Sequence, residues 1–178
     1  GGFLVHFGIC VMAVAITASS AYKIERDITL KPGERATVGR YVLELNSVRQ
    51  VQFPNYVALV SDVAVYGSDG TTRLGTLNPE RRLYKRSEEA TTEVDIRITP
   101  RDDLYLALAG SDTAGAAPDA DVASLPALFK VFVNPLQMWL WVGALVVLIG
   151  TGVVMAAGVF ARSEERIPEM AAERVRGQ

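Results

Sequence analysis

GGFLVHFGICVMAVAITASSA, residues 1–21, is almost wholly apolar and holds the only histidine of the 178-residue chain, His6. An ionisable side chain inside a membrane-grade helix is costly and is a functional candidate by default. At helical spacing Gly2, His6, Ile9, Cys10, Ala13 and Thr17 share one face, and Phe3, Phe7, Val11 and Val14 lie away from it. Small residues on such a face let another helix, or a flat cofactor, approach closely. Neutral imidazole is also the commonest protein ligand for metals, haem iron included. With a membrane boundary near Thr17, His6 lies roughly 17 Å deeper along the axis, past the middle of a hydrocarbon layer about 30 Å thick. The residues alone leave two readings: a ligand for iron, or a histidine hydrogen-bonded to a neighbouring helix without a cofactor.

The strictly apolar part, Phe3–Ala18, is shorter than the roughly 20 residues a span needs, so residues 1–21 read as a transmembrane helix truncated at its front. The rival is a secretory signal peptide cleaved near Ser19-Ser20-Ala21, against which stand His6 and the lack of a basic leading region. Farther along, Leu136–Phe160 carries no charge, and residues 135–161 form a second transmembrane helix. Its alternative is a buried core helix of a soluble protein. Trp139 and Trp141 stand at its front as an interfacial aromatic belt would place them. Gly143, Gly150, Gly152 and Gly158 offer sites for close helix packing. The polar tail, residues 162–178, reads as a short amphipathic helix or disorder. Its Arg162, Arg166, Arg174 and Arg176 favour a cytoplasmic position, which puts the region between the two helices on the periplasmic side.

That region, residues 22–134, holds 14 Lys/Arg and 16 Asp/Glu and faces water. Its pattern is strand-like throughout: Lys23–Leu30, Tyr41–Val48 and Thr92–Thr99 alternate apolar and polar residues, Tyr56–Tyr66 is a long β-rich run, and Arg73–Leu77, Arg82–Arg86, Asp103–Ala109 and Leu128–Val133 are further short strands. In Thr92–Thr99, Val94, Ile96 and Ile98 occupy one face and Glu93, Asp95 and Arg97 the other. Lys31-Pro32-Gly33-Glu34 has the order of a type II turn, and Ser68-Asp69-Gly70-Thr71 is a hairpin signal. Ser111–Pro126 is an exposed loop. The expectation is a membrane protein of α + β class: two transmembrane helices flanking a small all-β domain of seven or eight strands. An OB-like barrel is the first expectation and a sandwich the second.

Composition narrows the function. The chain is 19.2 kDa with a mean hydropathy of +0.20, a formal net charge of −2 and a pI near 5.5, and it lacks a basic stripe for nucleic acid. Its single cysteine, Cys10, excludes an internal disulfide framework and a structural zinc site and reads as a small buried apolar residue. There is no Cys-x-x-Cys-His run, so the chain is not itself a c-type cytochrome.

A set of motifs runs through the chain in order. Gly2-x-x-x-His6-x-Gly8 opens a helix, and Leu30-Lys31-Pro32-Gly33-Glu34 follows the first strand. Pro79-Glu80-Arg81-Arg82-x-Tyr84, Thr92-Glu93-Val94-x-Ile96 and Asp103-Leu104-Tyr105 come next. Lys130-Val131-Phe132-Val133-Asn134-Pro135-Leu136 then leads into Trp139-Leu140-Trp141-x-Gly143. Together they resemble the C-terminal region of the CcmF family of cytochrome c-type biogenesis proteins, the membrane haem lyase component of bacterial cytochrome c maturation. The resemblance implies an inner-membrane, multi-pass protein that takes haem from a periplasmic haem chaperone and attaches it to apocytochrome c. It further implies a b-type haem between transmembrane histidines, with His6 as one axial ligand to its iron. The implied partners are the remaining part of the same haem lyase, the haem chaperone, apocytochrome c with its thiol-handling subunits, and the membrane. The family's tryptophan-rich haem-binding segment and its periplasmic histidines are absent here, so the chain is a fragment or one part of a split protein.

Other side chains are weaker candidates. Arg81, Arg82, Lys85 and Arg86 suit haem propionates or an acidic partner, yet basic residues also guard strand edges. Glu80 and Glu93 flank them as possible ion-pair partners. Tyr84 and Tyr105 suit stacking on a ligand or a place in the core. Asp102 and Asp103, adjacent on a strand, point to opposite faces. A cofactor-free scaffold, a membrane-tethered β-domain that recruits partners, is the alternative to the haem-handling reading.

Overall fold

The computed structural model describes residues 1–85, 90–111, 123 and 125–176, with side chains as far as residue 158. The chain forms two compact units, Ala18–Leu136 and the pair of segments Gly1–Thr17 and Gln137–Gln178.

The first unit is built from ten strands among the described residues: β1 (Ile24–Leu30), β2 (Arg35–Val38), β3 (Tyr41–Gln52), β4 (Tyr56–Tyr66), β5 (Arg73–Leu77), β6 (Glu80–Tyr84), β7 (Ala90–Glu93), β8 (Asp95–Ile98), β9 (Asp102–Ser111) and β10 (Ala127–Pro135). They pair antiparallel in two sheets, one ordered β1-β10-β9-β8 and the other β2-β3-β4-β6-β7 with β5 also on β4. Of the two architectures open from the sequence it is therefore the sandwich, not the OB-like barrel. Alternation explains the strands: Tyr41, Leu43 and Leu45 from β3 and Leu104, Leu106 and Leu108 from β9 are fully buried, as are Phe129 and Val131 from β10, each strand turning every second residue inward. Gly33, at φ +84°, takes the left-handed position of the turn into β2.

Two readings change. The alternation of Thr92–Thr99 predicts one strand, but the chain turns a corner at Val94, so β7 closes one sheet and β8 the other. The apolar face is the outer one: Val94, Ile96 and Ile98 are exposed, while Asp95 and Arg97 are half-buried. The reason lies in their side-chain bonds. Asp95 accepts the Asn78 N–H at 2.7 Å and Arg97 donates to the Leu74 carbonyl at 2.9 Å. These bonds serve backbone groups beside β5 that no strand ladder reaches. The short strand β2, which alternation alone does not single out, is fixed by its pairing with Tyr41–Glu44.

A polar knot sits in the core. The Tyr41 hydroxyl donates to Asp102 Oδ1 at 2.5 Å, Thr99 Oγ1 is 3.3 Å from the same oxygen, and Arg40 Nη1 is 3.7 Å from Oδ2. Asp102 is thereby paired although buried, as a buried carboxylate must be.

In the second unit, helix α1 (Gly2–Ala21) packs against helix α2 (Gln137–Arg176). The tail does not form a separate element; its backbone continues α2. Both helices are long and apolar enough to cross a membrane, over Gly2–Ala21 and Gln137–Gly158. The seam is made by glycine: a Cβ on Gly8 would lie 2.8 Å from the Gly143 carbonyl oxygen, and one on Gly143 would lie 2.8 Å from the Gly8 oxygen. Gly150 meets the backbone of Val5 in the same way, whereas Gly152 and Gly158 meet nothing within 4 Å. Backbones this close leave no room for any side chain.

Tyr41→Phe removes a bond to a buried carboxylate and is expected to cost about 2 kcal/mol, read as a lower midpoint of thermal unfolding in detergent. Gly8→Leu overfills the seam and should cost about 1–3 kcal/mol, while Gly152→Leu, placed in open space, leaves the helix pair unchanged; tryptic digestion of the two variants reports the difference.

Candidate functional site

His6 lies in the second turn of α1, and within this chain its side chain is exposed rather than buried. Its face is therefore distinct from the seam. Gly8 and Ala15 are buried against α2, whereas Gly2, Ile9, Cys10, Ala13 and Thr17 are exposed beside His6. Cys10 is accordingly exposed, not a buried apolar residue. His6 Nδ1 lies 2.9 Å from the Gly2 carbonyl oxygen. A carbonyl only accepts, so Nδ1 carries the proton and donates. In the neutral ring that leaves Nε2 as the nitrogen with a free lone pair. This is the arrangement in which a metal-binding imidazole is held, one nitrogen anchored and the other available. Three His, Cys, Asp or Glu side chains do not gather into a metal-binding group anywhere among the described residues. The chain's own donors could supply one nitrogen ligand, Nε2 of His6, to a metal whose other ligands came from elsewhere.

The remaining candidates do not converge. Arg81 and Arg82, being adjacent on β6, point to opposite sides. Arg82 binds Glu80 at 3.0 Å and Glu93 at 3.1 Å, as the flanking acids suggested, and the Glu80 bond is the main cause of its raised pKa. Arg81 lines a separate groove with Gln50, Val57, Leu59, Leu83 and Ala90. Lys85 is exposed, and Arg86 lies outside the described residues, as does most of the Ser111–Pro126 loop. Tyr84 joins an aromatic row with Tyr56 and Phe53, ring centroids 5.3 Å and 4.5 Å apart, with Arg82 over the Tyr56 ring. Neither Tyr84 nor Tyr105 is a core residue; the buried tyrosine is Tyr41. Alternation flagged Tyr41 as one of several inward residues of its strand, and only the distant Asp102 explains why it is a tyrosine.

The CcmF C-terminal β-sandwich family model matches residues 21–123, more than half of the chain. The chain belongs to the CcmF family. The cytochrome c-type biogenesis protein CcmF of Pseudomonas aeruginosa is 33% identical over 154 residues, covering 86% of this chain and 21% of that protein. The cytochrome c-type biogenesis protein CycK of Rhizobium meliloti is 30% identical over 176 residues, covering 99% of this chain and 23% of the relative. The chain thus spans about a fifth of the length of the curated relatives it matches. A solved structure of the cytochrome c haem lyase CcmF superposes with a TM-score of 0.62 at 22% identity, over 84% of this chain and 23% of that one; it shares the fold.

The CcmF sandwich also holds a second carboxylate, Asp103, only 3% exposed. Burial pushes its pKa up from the ordinary 3.8; the Thr99 N–H, 3.2 Å from Oδ1, opposes the shift and the neighbouring Asp102 adds to it. The folded state therefore holds this proton to higher pH than the unfolded chain does. Stability from this group is greatest below 3.8 and declines as pH rises through the folded-state value. Asp103→Asn, which keeps the acceptor for Thr99, should flatten that decline and leave stability at neutral pH equal or higher. Thermal unfolding of both proteins between pH 4 and pH 8 is the measurement.

Proposed function

We propose that the chain is the C-terminal part of a membrane haem lyase that helps transfer haem from a periplasmic haem chaperone to apocytochrome c, with His6 giving one axial ligand to a b-type haem. What supports the reading most directly is the Nδ1 bond to Gly2, which turns Nε2 outward on an exposed helix face. Family membership supports the process, since its relatives carry the name of cytochrome c biogenesis.

In this reading α1 and α2 span the bacterial inner membrane, the sandwich is periplasmic, and the arginines beyond Ala161 lie on the cytoplasmic side. A b-type haem held there would supply electron-transfer chemistry, passing on electrons received from an external reductant. The chain's own residues do the holding. The Gly2 carbonyl fixes the ring's tautomer and rotation, Nε2 of His6 binds, and the small side chains of Cys10 and Ala13 leave the face open to a flat partner. The sandwich offers a folded platform where the haem chaperone, apocytochrome c and its thiol-handling subunits meet the remaining part of the lyase.

The visible spectrum of the purified full assembly tests this. His6→Ala should remove or weaken the reduced b-type band, and added imidazole should restore it in part by entering the vacated space. An undiminished band in His6→Ala overturns the ligand role and leaves the cofactor-free scaffold.

A further inference from the structure

Where β3, β4, β6 and β7 lie side by side, their core-facing surface is only partly covered. Partners in a ladder share a face. Two rows of partners cross this part of the sheet: Gln50, Leu59 and Arg81 in one, Val57, Leu83 and Ala90 in the other. The face is the inner one. Leu59 packs against the core, and a Cβ on Gly110 of β9, in the opposite sheet, would lie 3.4 Å from Arg81 Nη1. The six side chains line a groove of about 480 Å³. Apolar walls with a few polar groups are the makeup of a ligand site, and the volume falls in the usual range. Leu83 is 49% exposed in it, an apolar surface that the sandwich itself leaves unused.

Arg81 gives the groove its charge. It is half-buried, and among the described residues it makes no hydrogen bond or ion pair. The nearby acids are already taken: Arg82, on the opposite face of the same strand, holds both Glu80 and Glu93. A partly desolvated guanidinium costs free energy that a carboxylate partner offsets, and its planar fork matches a carboxylate in shape. The other five lining residues carry no charge, so the groove is apolar with a single cation.

The rim favours a peptide over a lipid tail. β2 pairs with β3 only over Tyr41–Glu44, and Leu45 is bonded to Gly33 and Glu34. Beyond that point β4 is the only neighbour of β3 among the described residues. On its other side the backbone from Val48 to Gln52 is open to an extended chain, and the Gln50 side chain adds an amide there. Arg81 stands two strands farther in, about 10 Å at the usual strand spacing, or roughly three residues of extended chain.

We propose that this groove binds an extended peptide segment of a partner protein. The peptide's main chain bonds the open edge of β3, its apolar side chains lie on Val57, Leu59 and Leu83, and a carboxylate about three residues on meets Arg81. The site lies wholly within the sandwich and needs neither His6 nor the course of the two helices.

The test uses the full chain in lipid nanodiscs, in a Cys10→Ser background, with a trifluoromethyl tag on Gln52→Cys. Gln52 faces the groove side opposite Val57 without being one of its walls. The probes are acetyl-Ser-Leu-Val-Glu-Leu-amide and its counterpart with Gln for Glu. The fluorine resonance is expected to shift saturably with the acidic peptide, and the neutral peptide should bind roughly tenfold more weakly, as loss of one charge-assisted bond implies. Arg81→Gln should abolish that preference, so that both peptides bind alike, Arg81→Lys should keep part of it, and Leu83→Asn should weaken both peptides. Equal binding of the two peptides by the unsubstituted groove overturns the carboxylate role of Arg81. No shift with either peptide overturns the proposal as a whole. A shift with oleate and none with the peptides also overturns it, and assigns the groove to a lipid acid.

Discussion

Ile24 and Val133 stand face to face although the whole β-domain lies between them in sequence. The ladder continues from there to Leu30 opposite Ala127, and everything else in the molecule follows from it. Closing so long a segment carries an entropic cost that grows only slowly with length, and the inward residues Ile28, Leu30, Phe129, Val131 and Val133 offset it by burial. Phe129 alone, fully buried, contributes about 2–3 kcal/mol on a transfer scale. Because the first and last strands are neighbours, the two ends of the domain cannot separate without unzipping the edge ladder between β1 and β10. The start of the first strand and the finish of the last are thereby brought to the same end of the sandwich.

The polar knot reinforces the same end. Asp102 lies opposite Pro135 in the last strand, and its carboxylate is held by Tyr41 and Arg40 from the other sheet. One side chain thus ties both sheets together beside the junction with α2. A buried carboxylate is weak as a source of stability but demanding in geometry. It fixes how the sheets are stacked at that end of the sandwich.

Much of this was legible from residues. Hydropathy over residues 1–21 and 135–161 marked both helices, alternation marked β1 and β3, and β-rich composition marked β4, whose Val63, Ala64 and Val65 are buried in succession. The corner at Val94 was not legible. An alternating pattern reports that every second residue shares a side, not which side is inward, and not that the strand changes sheet midway. Asp95 and Arg97 point inward to bond the backbone at Asn78 and Leu74, partners remote in sequence. The choice of sandwich over barrel was hidden for the same reason: it depends on which edges pair, and β5 and β8 are bridged by side chains instead of a ladder. At the candidate site, His6 stood out as the only histidine, and its face of small residues was readable from spacing. That a second row, through Gly1, Val5, Gly8, Met12 and Ala15, makes the seam with α2 became clear only from the reciprocal fit of Gly8 and Gly143.

Those two rows divide the surface of α1. At 3.6 residues per turn, His6 lies about 140° around the helix from the middle of the seam. The seam itself is closed to anything thicker than hydrogen, since each glycine oxygen occupies the space a Cβ would need. The side of α1 that is open to a ligand is therefore the outer one, which carries His6. The chain has a single histidine, so it can offer one imidazole and no more. The close glycine seam uses one side of α1 for α2 and leaves the His6 side uncovered among the described residues.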